Sequence, residues 1–245
     1  MVYLCTLKTP AFRFRQSVLF ENQDYILVNK PPFLSTLEDR NEAVNLLLLA
    51  REVEPGAQVC HRLDKDTSGV LAIARHPEAY RHLSIQFEQR QVTKFYHALV
   101  DGIHQFDEEQ VDLPILKLGD GTVRVGRNGK DAQTRFTTLQ YFKGHSLVRC
   151  QPVTGRMHQI RAHLSHLQAP ITGDLAYGGK AFYLSSVKRG YNLKKGTEEE
   201  PFMKRMALHA FSLSFTGLDG NKLEATAPYP KDFGALLKQL AQNLP

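Results

Sequence analysis

The segment Val70-Leu71-Ala72-Ile73-Ala74 is apolar at every position, and it is entered through the charged run His61-Arg62-Leu63-Asp64-Lys65-Asp66 and the turn-forming Thr67-Ser68-Gly69. A short continuous apolar run bounded by turn residues reads as a buried strand. Any fold this chain adopts must therefore hold a charged loop against the end of a core strand. An acid on such a loop is held rigidly and can still face a cleft, and catalytic groups tend to sit on loops supported in this way. Asp64, between basic neighbours, is the first candidate. The same residues admit plainer readings. An Asp before Thr-Ser-Gly serves equally as a turn residue accepting backbone N–H groups, with Arg62 as a local ion-pair partner. Asp64 and Asp66 also form an Asp-x-Asp pair of the kind that holds a divalent metal in other settings.

The rest of the chain reads as many strands with a few helices between them. Residues 17–30 suggest two short strands around the polar turn Glu21-Asn22-Gln23-Asp24, broken at Pro31-Pro32. Residues 41–51 have helical character, with Asn41 as a cap. His76-Pro77-Glu78 opens a second helix carrying Ala79, Leu83 and Phe87 on one face. Residues 92–100 alternate like a strand. Asp120-Gly121 and Asn128-Gly129 are hairpin turn signals flanked by Val123-Arg124-Val125 and Thr134-Arg135-Phe136, with strands continuing to about Cys150. Thr154-Gly155 then caps a helix through about Leu167, with Ile160, Leu164 and Leu167 inward. Residues 185–204 read as an exposed excursion, 207–215 as a strand and 231–243 as a closing amphipathic helix. There is no internal repeat. The pattern argues an α+β or mixed-sheet architecture and not a regular βαβ series.

Composition narrows the class. A chain of 245 residues with 42% hydrophobic and 23% charged residues is an ordinary globular protein with a sizeable core. Its net charge of +6, from 31 basic against 25 acidic residues, permits a polyanionic partner such as RNA without demanding one. Cys5, Cys60 and Cys150 are far apart and odd in number, so neither a zinc ribbon nor a disulfide framework is indicated, and a reducing cytoplasm is the expected compartment. Residues 1–15 lack the apolar core of a signal peptide, and no apolar stretch is long enough to span a bilayer. Gly126-Arg127-Asn128-Gly129-Lys130-Asp131 is glycine-rich but lacks the Gly-Lys-Ser/Thr ending of a phosphate loop.

Two further runs carry chemistry. Lys94-Phe95-Tyr96-His97-Ala98 puts a tyrosine in a strand, where the ordinary role is core packing. Thr154-Gly155-Arg156-Met157-His158-Gln159-Ile160-Arg161-Ala162-His163-Leu164 lets His158 and Arg161 share one side of a helix while Ile160 and Leu164 anchor the other. A solvated basic face fits this run as well. Metal ligation by His158, His163 and His166 does not, because the spacing is not His-Glu-x-x-His and no single face collects all three.

Together with Val28-Asn29-Lys30-Pro31-Pro32, with Ala169-Pro170-Ile171-Thr172-Gly173-Asp174 followed by Tyr177-Gly178, and with Leu208-His209-Ala210, these motifs resemble those of the RluA-type RNA pseudouridine synthases, in order and across nearly the whole chain. The resemblance implies a pseudouridine synthase catalytic fold: a large mixed, mostly antiparallel sheet flanked by helices around a central RNA-binding cleft. It implies a single catalytic domain over residues 1–245, without the small S4-type domain of many relatives. It makes Asp64 the catalytic aspartate, Arg161 its basic partner, and Tyr96 the aromatic against the target base. Arg62, Lys65, Thr67, Lys94, Arg156, His158 and Leu208 become substrate-binding candidates, with Arg124, Arg127 and Lys130 as further phosphate contacts. Family members usually carry Thr or Ser where Met157 stands, which puts a local hydrogen bond in doubt.

The implied reaction is isomerisation of uridine to pseudouridine within RNA, ribosomal in preference to transfer RNA. It has no redox step and no phosphate activation, so neither metal nor organic cofactor is expected, and the protein is expected to be a monomer. Two other readings compete. A metal-dependent nuclease built on Asp64 and Asp66 would lose activity with a chelator; a catalytically silent RNA-binding module would be free to lose Asp64, Tyr96 or Arg161.

Overall fold

The computed structural model describes residues 13–38, 44–188, 190–193 and 196–243. In chain order the elements are β1 (Val18–Glu21), β2 (Tyr25–Lys30), α1 (Leu46–Val53), β3 (Gln58–Val59), β4 (Ser68–Ala74), α2 (Pro77–Glu88), β5 (Thr93–Asp101), β6 (Glu109–Asp112), β7 (Ile115–Lys117), β8 (Val123–Val125), β9 (Gln133–Phe142), β10 (His145–Pro152), α3 (Gln159–His166), β11 (Leu208–Thr216), β12 (Lys222–Thr226) and α4 (Lys231–Gln242). Ten strands form one sheet along the path β1-β2-β4-β11-β5-β10-β9-β6, with β12 beside β11 and β3 beside β4; β7 and β8 form a separate hairpin. Every pairing is antiparallel except β4 with β11, so the sheet is mixed and mostly antiparallel as expected.

The apolar run from Val70 to Ala74 forms most of β4, a strand buried at every position. Its lack of alternation has a direct cause. Val70, Ala72 and Ala74 pack with Ala79 and Leu83 of α2, whereas Leu71 and Ile73 pack with Leu46 and Ala50 of α1. Both faces of the strand are covered, so both must be apolar. Gly69 lets β4 enter this position: its φ is +116°, and a Cβ there would collide with the Ala210 carbonyl of the parallel neighbour β11. The other half of the sheet, with Leu99, Phe136 and Val148, packs against α4 through Phe233, Leu236 and Leu240.

Three local expectations are revised. α1 begins at Leu46 with Asn45 as its cap, accepting from the Leu48 N–H at 2.9 Å; Asn41 lies outside the described residues. The turn at Asn128-Gly129 does not join β8 to β9. It returns the chain to β7, where Lys130 and Ile115 exchange backbone hydrogen bonds. Thr154 does not cap α3, which starts at Gln159. The intervening loop is held by the Gln159 side chain. Its oxygen accepts from the Thr154 hydroxyl (2.7 Å) and the Arg156 N–H (2.9 Å), and its nitrogen donates to the Gln133 carbonyl and the Thr134 hydroxyl oxygen. The excursion at 185–204 is largely exposed in its described residues, but Val187 and Met203 root it in the core.

Buried neutral histidines tie these elements together. His209 gives its Nε2 proton to the Ala227 carbonyl and accepts at Nδ1 from the Ser68 hydroxyl, fastening the start of β4 to the segment after β12. Burial holds His209 down to about 4, and likewise His97, from an ordinary value of 6.5. Between those values the unfolded chain binds protons that the native state refuses, so stability falls as pH drops from 6.5 towards 4 and is unaffected above that window. The urea midpoint should fall between pH 7 and pH 5, and His209→Gln should flatten that slope; an identical slope in the variant would contradict this origin.

Candidate functional site

Three neighbouring strands and one helix converge on a cleft of about 590 Å³, a volume within the usual range of ligand sites. Asp64 arrives on the loop before β4, Tyr96 on β5, and Leu208 at the start of β11; β11 lies between β4 and β5 in the sheet. Arg161 and His158 come from α3 and the residue preceding it. All five line the cleft, and so do Arg62, Thr67, Lys94 and Arg156. Lys65 does not. It lines a separate small depression with Thr36 and Glu38. Arg124, Arg127 and Lys130 lie outside the cleft lining, on the β7–β8 hairpin and the turn that follows it.

The Asp64 loop is clamped through its own backbone. The Thr67 N–H donates to the Asp64 carbonyl at 3.0 Å, closing the turn. The next carbonyl, of Lys65, accepts from Lys30 Nζ at 3.0 Å, and the one after, of Asp66, accepts from Arg205 Nη1 at 3.0 Å. Both cations are inside the protein. Lys30 is fully buried, its three ammonium protons matched by the carbonyls of Pro31, Leu34 and Lys65. Burial, reinforced by Arg205, pulls that ammonium down to about 7. Arg205 is itself paired with Asp232 through two bonds of 2.7 and 3.0 Å. Consecutive carbonyls taken up this way leave the loop little freedom, and the Asp64 side chain is left to face the cleft.

Opposite it, the expected Arg161–Asp64 pair is present but is not the interaction that holds the arginine. Arg161 Nη1 lies 3.5 Å from Asp64 Oδ2, long for a hydrogen bond. Its Nε and Nη2 instead grip both oxygens of Asp174 at 2.7 and 2.8 Å, and its guanidinium sits 4.5 Å over the Tyr177 ring. The Asp174 side chain is 3% exposed against 26% for Asp64, so one carboxylate anchors and the other remains accessible. In the sequence Asp174 and Tyr177 stand out only as parts of a turn motif. The available signal was an acid placed just beyond a basic helix. His158 Nε2 stands 3.7 Å from the same Asp64 oxygen. Met157 packs with Val123, Ala162 and Tyr177, an apolar contact with the β7–β8 hairpin.

The cleft walls add an aromatic surface and a further cation. Burial raises the Tyr96 phenol well above its ordinary value, and the nearby Asp64 charge adds to this, so the ring is a neutral apolar surface with a hydroxyl edge. Lys94 is nearly buried, donates to the Thr154 carbonyl at 3.3 Å, and is lowered to about 8 by burial. No carboxylate among the described residues pairs with it. Among the described residues no group of three or more His, Cys, Asp or Glu is arranged to hold a metal ion, and no helix is long and apolar enough to cross a membrane.

An accessible carboxylate facing an anchored guanidinium, beside an aromatic wall and several cations, defines a site for carboxylate-dependent chemistry on an anionic substrate. A profile of RNA pseudouridylate synthases matches residues 24–166, which include Asp64, Tyr96 and Arg161. The ribosomal large subunit pseudouridine synthase C of Vibrio cholerae is 34% identical over 230 residues, covering 92% of this chain and 69% of that protein. An uncharacterised RNA pseudouridine synthase of Zymomonas mobilis is 34% identical over 225 residues, covering 88% and 94%. Among solved structures, human RNA pseudouridylate synthase domain containing 4 superposes with a TM-score of 0.74 at 26% identity, covering 93% of this chain and 94% of that one. The chain belongs to the RNA pseudouridylate synthase family, a family of isomerases acting on RNA. This sets aside the nuclease as a description of the fold's chemistry.

If Asp174 is what holds Arg161 against Asp64, Asp174→Asn should lower turnover by on the order of 10- to 100-fold while RNA affinity changes little. Single-turnover kinetics beside a binding titration check this, and unchanged turnover in a folded variant would contradict it.

Proposed function

We propose that this protein converts uridine to pseudouridine in large-subunit ribosomal RNA, working as one catalytic domain, as a monomer, in a reducing cytoplasm. The observation that carries the chemical part is Asp64: a carboxylate on a backbone-clamped loop, 3.5 Å from an arginine that another carboxylate already anchors. The ribosomal target is supported by the name of the Vibrio cholerae relative.

The reaction breaks the bond from uracil N1 to ribose C1′, forms one from C5 to C1′, moves a proton off C5 and places one on N1. Nothing is oxidised or reduced. Asp64 is the group that engages the target nucleotide, by attack at C1′, by attack on the base, or by removal of the 2′ proton. Arg161 orients that carboxylate and opposes its charge. Tyr96 lies along the detached base and keeps it from leaving, as an aromatic wall does for a base taken out of its stack. Leu208 closes the apolar side. Arg62, Lys94 and Arg156, exposed or set in the cleft wall, meet the phosphates on either side of the target, and Thr67 and His158 border it.

Pseudouridine mapping of total RNA from cells with and without the gene tests the target. Sites in large-subunit ribosomal RNA that vanish without the gene and return with it would support the proposal. Sites lost only from transfer RNA would overturn the ribosomal assignment.

A further inference from the structure

We propose that His158 is a positioning residue for the reactive carboxylate: a neutral imidazole, oriented by Tyr177, that presents its Nε2 proton to Asp64. This rests on the reading of Asp64 as the reactive group and deepens it.

Donors and acceptors around Tyr177 favour one tautomer. The backbone N–H of Val123 has no choice but to donate, and it donates to the Tyr177 hydroxyl oxygen at 3.0 Å. The same oxygen lies 2.9 Å from His158 Nδ1. With its oxygen already accepting there, the phenol has a proton to give, and Nδ1 is the acceptor within reach. That places the imidazole proton on Nε2, the nitrogen 3.7 Å from Asp64 Oδ2. The other tautomer would leave the phenol proton without this acceptor and turn an imidazole lone pair towards a carboxylate oxygen. Distances of this size shorten when substrate closes a site.

The backbone supports the same reading. His158 has a φ of +49°, in the left-handed region that a residue with a Cβ avoids. Such strain persists only where surrounding structure imposes it. Here the Gln159 side chain holds the preceding loop by four hydrogen bonds, and the bend it enforces turns both His158 and Arg161 towards one carboxylate.

The charged and titratable groups facing His158 are Asp64 and Arg62 from the loop before β4, Arg161 from α3, and Asp174 and Tyr177 from the segment after α3. Burial lowers the imidazole's affinity for a proton; Asp64 and Asp174 oppose this, and Arg161 and Arg62 reinforce it. Near neutral pH the ring is a neutral donor. In acid it becomes a second cation beside Arg161, and the Asp64 carboxylate is held too strongly to react freely.

The test is single-turnover pseudouridine formation, with RNA binding measured in parallel, for His158→Ala, His158→Gln and Tyr177→Phe in variants whose thermal unfolding matches wild type. His158→Ala should lower the rate by on the order of 10- to 100-fold with RNA affinity within about twofold. His158→Gln, whose amide nitrogen can still donate but does not titrate, should regain most of the rate and alter the acidic side of the pH profile, from which the imidazole's contribution is gone. Tyr177→Phe should slow the wild type yet add nothing in the His158→Ala background, because the two act as one chain. A His158→Ala variant that binds RNA weakly at an unchanged rate would overturn the proposal, as would a pH profile in His158→Gln identical to that of the wild type. A wild-type protein that converts no RNA at all would overturn the underlying reading instead.

Discussion

The bidentate pair between Arg161 and Asp174 is the constraint on which the site depends. A guanidinium beside an accessible carboxylate can close on it in a tight fork, which would leave that carboxylate no freedom. Asp174 takes the fork. Only one nitrogen, Nη1, is left to look towards Asp64. Removing one member of a buried pair typically costs roughly 3–5 kcal/mol, because the other charge is left uncompensated. Keeping Arg161 in place is therefore built into folding itself.

A similar division of roles governs the loop that carries Asp64. Charge is used against its backbone and not against its side chain: Lys30 and Arg205 donate to successive carbonyls and leave the carboxylate unclaimed. Lys30 reaches from the end of β2, and Arg205 from just before β11, so the loop is pinned from the strands on either side of β4. The parallel approach of β4 to β11 at Gly69 brings those two sides together. Packing of β4 between α1 and α2 then makes the whole arrangement stiff.

What is legible in the sequence depends on how local the physical cause is. β4 is readable because a strand covered on both faces has to be apolar throughout. α2 is readable because Pro77 follows a capping residue, His76, whose ring accepts from the Ala79 N–H. The pairing of His158 with Arg161 follows from their separation in the sequence, although His158 stands before α3 with a φ of +49° and the bend there, not a helical turn, aims it. The start of α3 does not follow, because Thr154 looks like a cap and the Gln159 side chain, bonded to strand residues 25 and 26 positions away, overrides that signal. The true partner of Arg161 lies 13 residues downstream, and the cations behind the Asp64 loop lie 35 and 139 residues from the carbonyls they hold. Family resemblance names Asp64, Tyr96 and Arg161 as a set. It does not reveal that Arg161 forks onto Asp174 and turns only Nη1 towards Asp64.

The central role of the Asp64 carboxylate is tested most directly by single-turnover conversion of unmodified large-subunit ribosomal RNA. Purified wild-type protein and Asp64→Asn are compared, with RNA affinity measured for both. Pseudouridine should form with the wild type and not with the variant, while the dissociation constants agree within a few-fold. Conversion retained by Asp64→Asn would contradict the role given to this carboxylate.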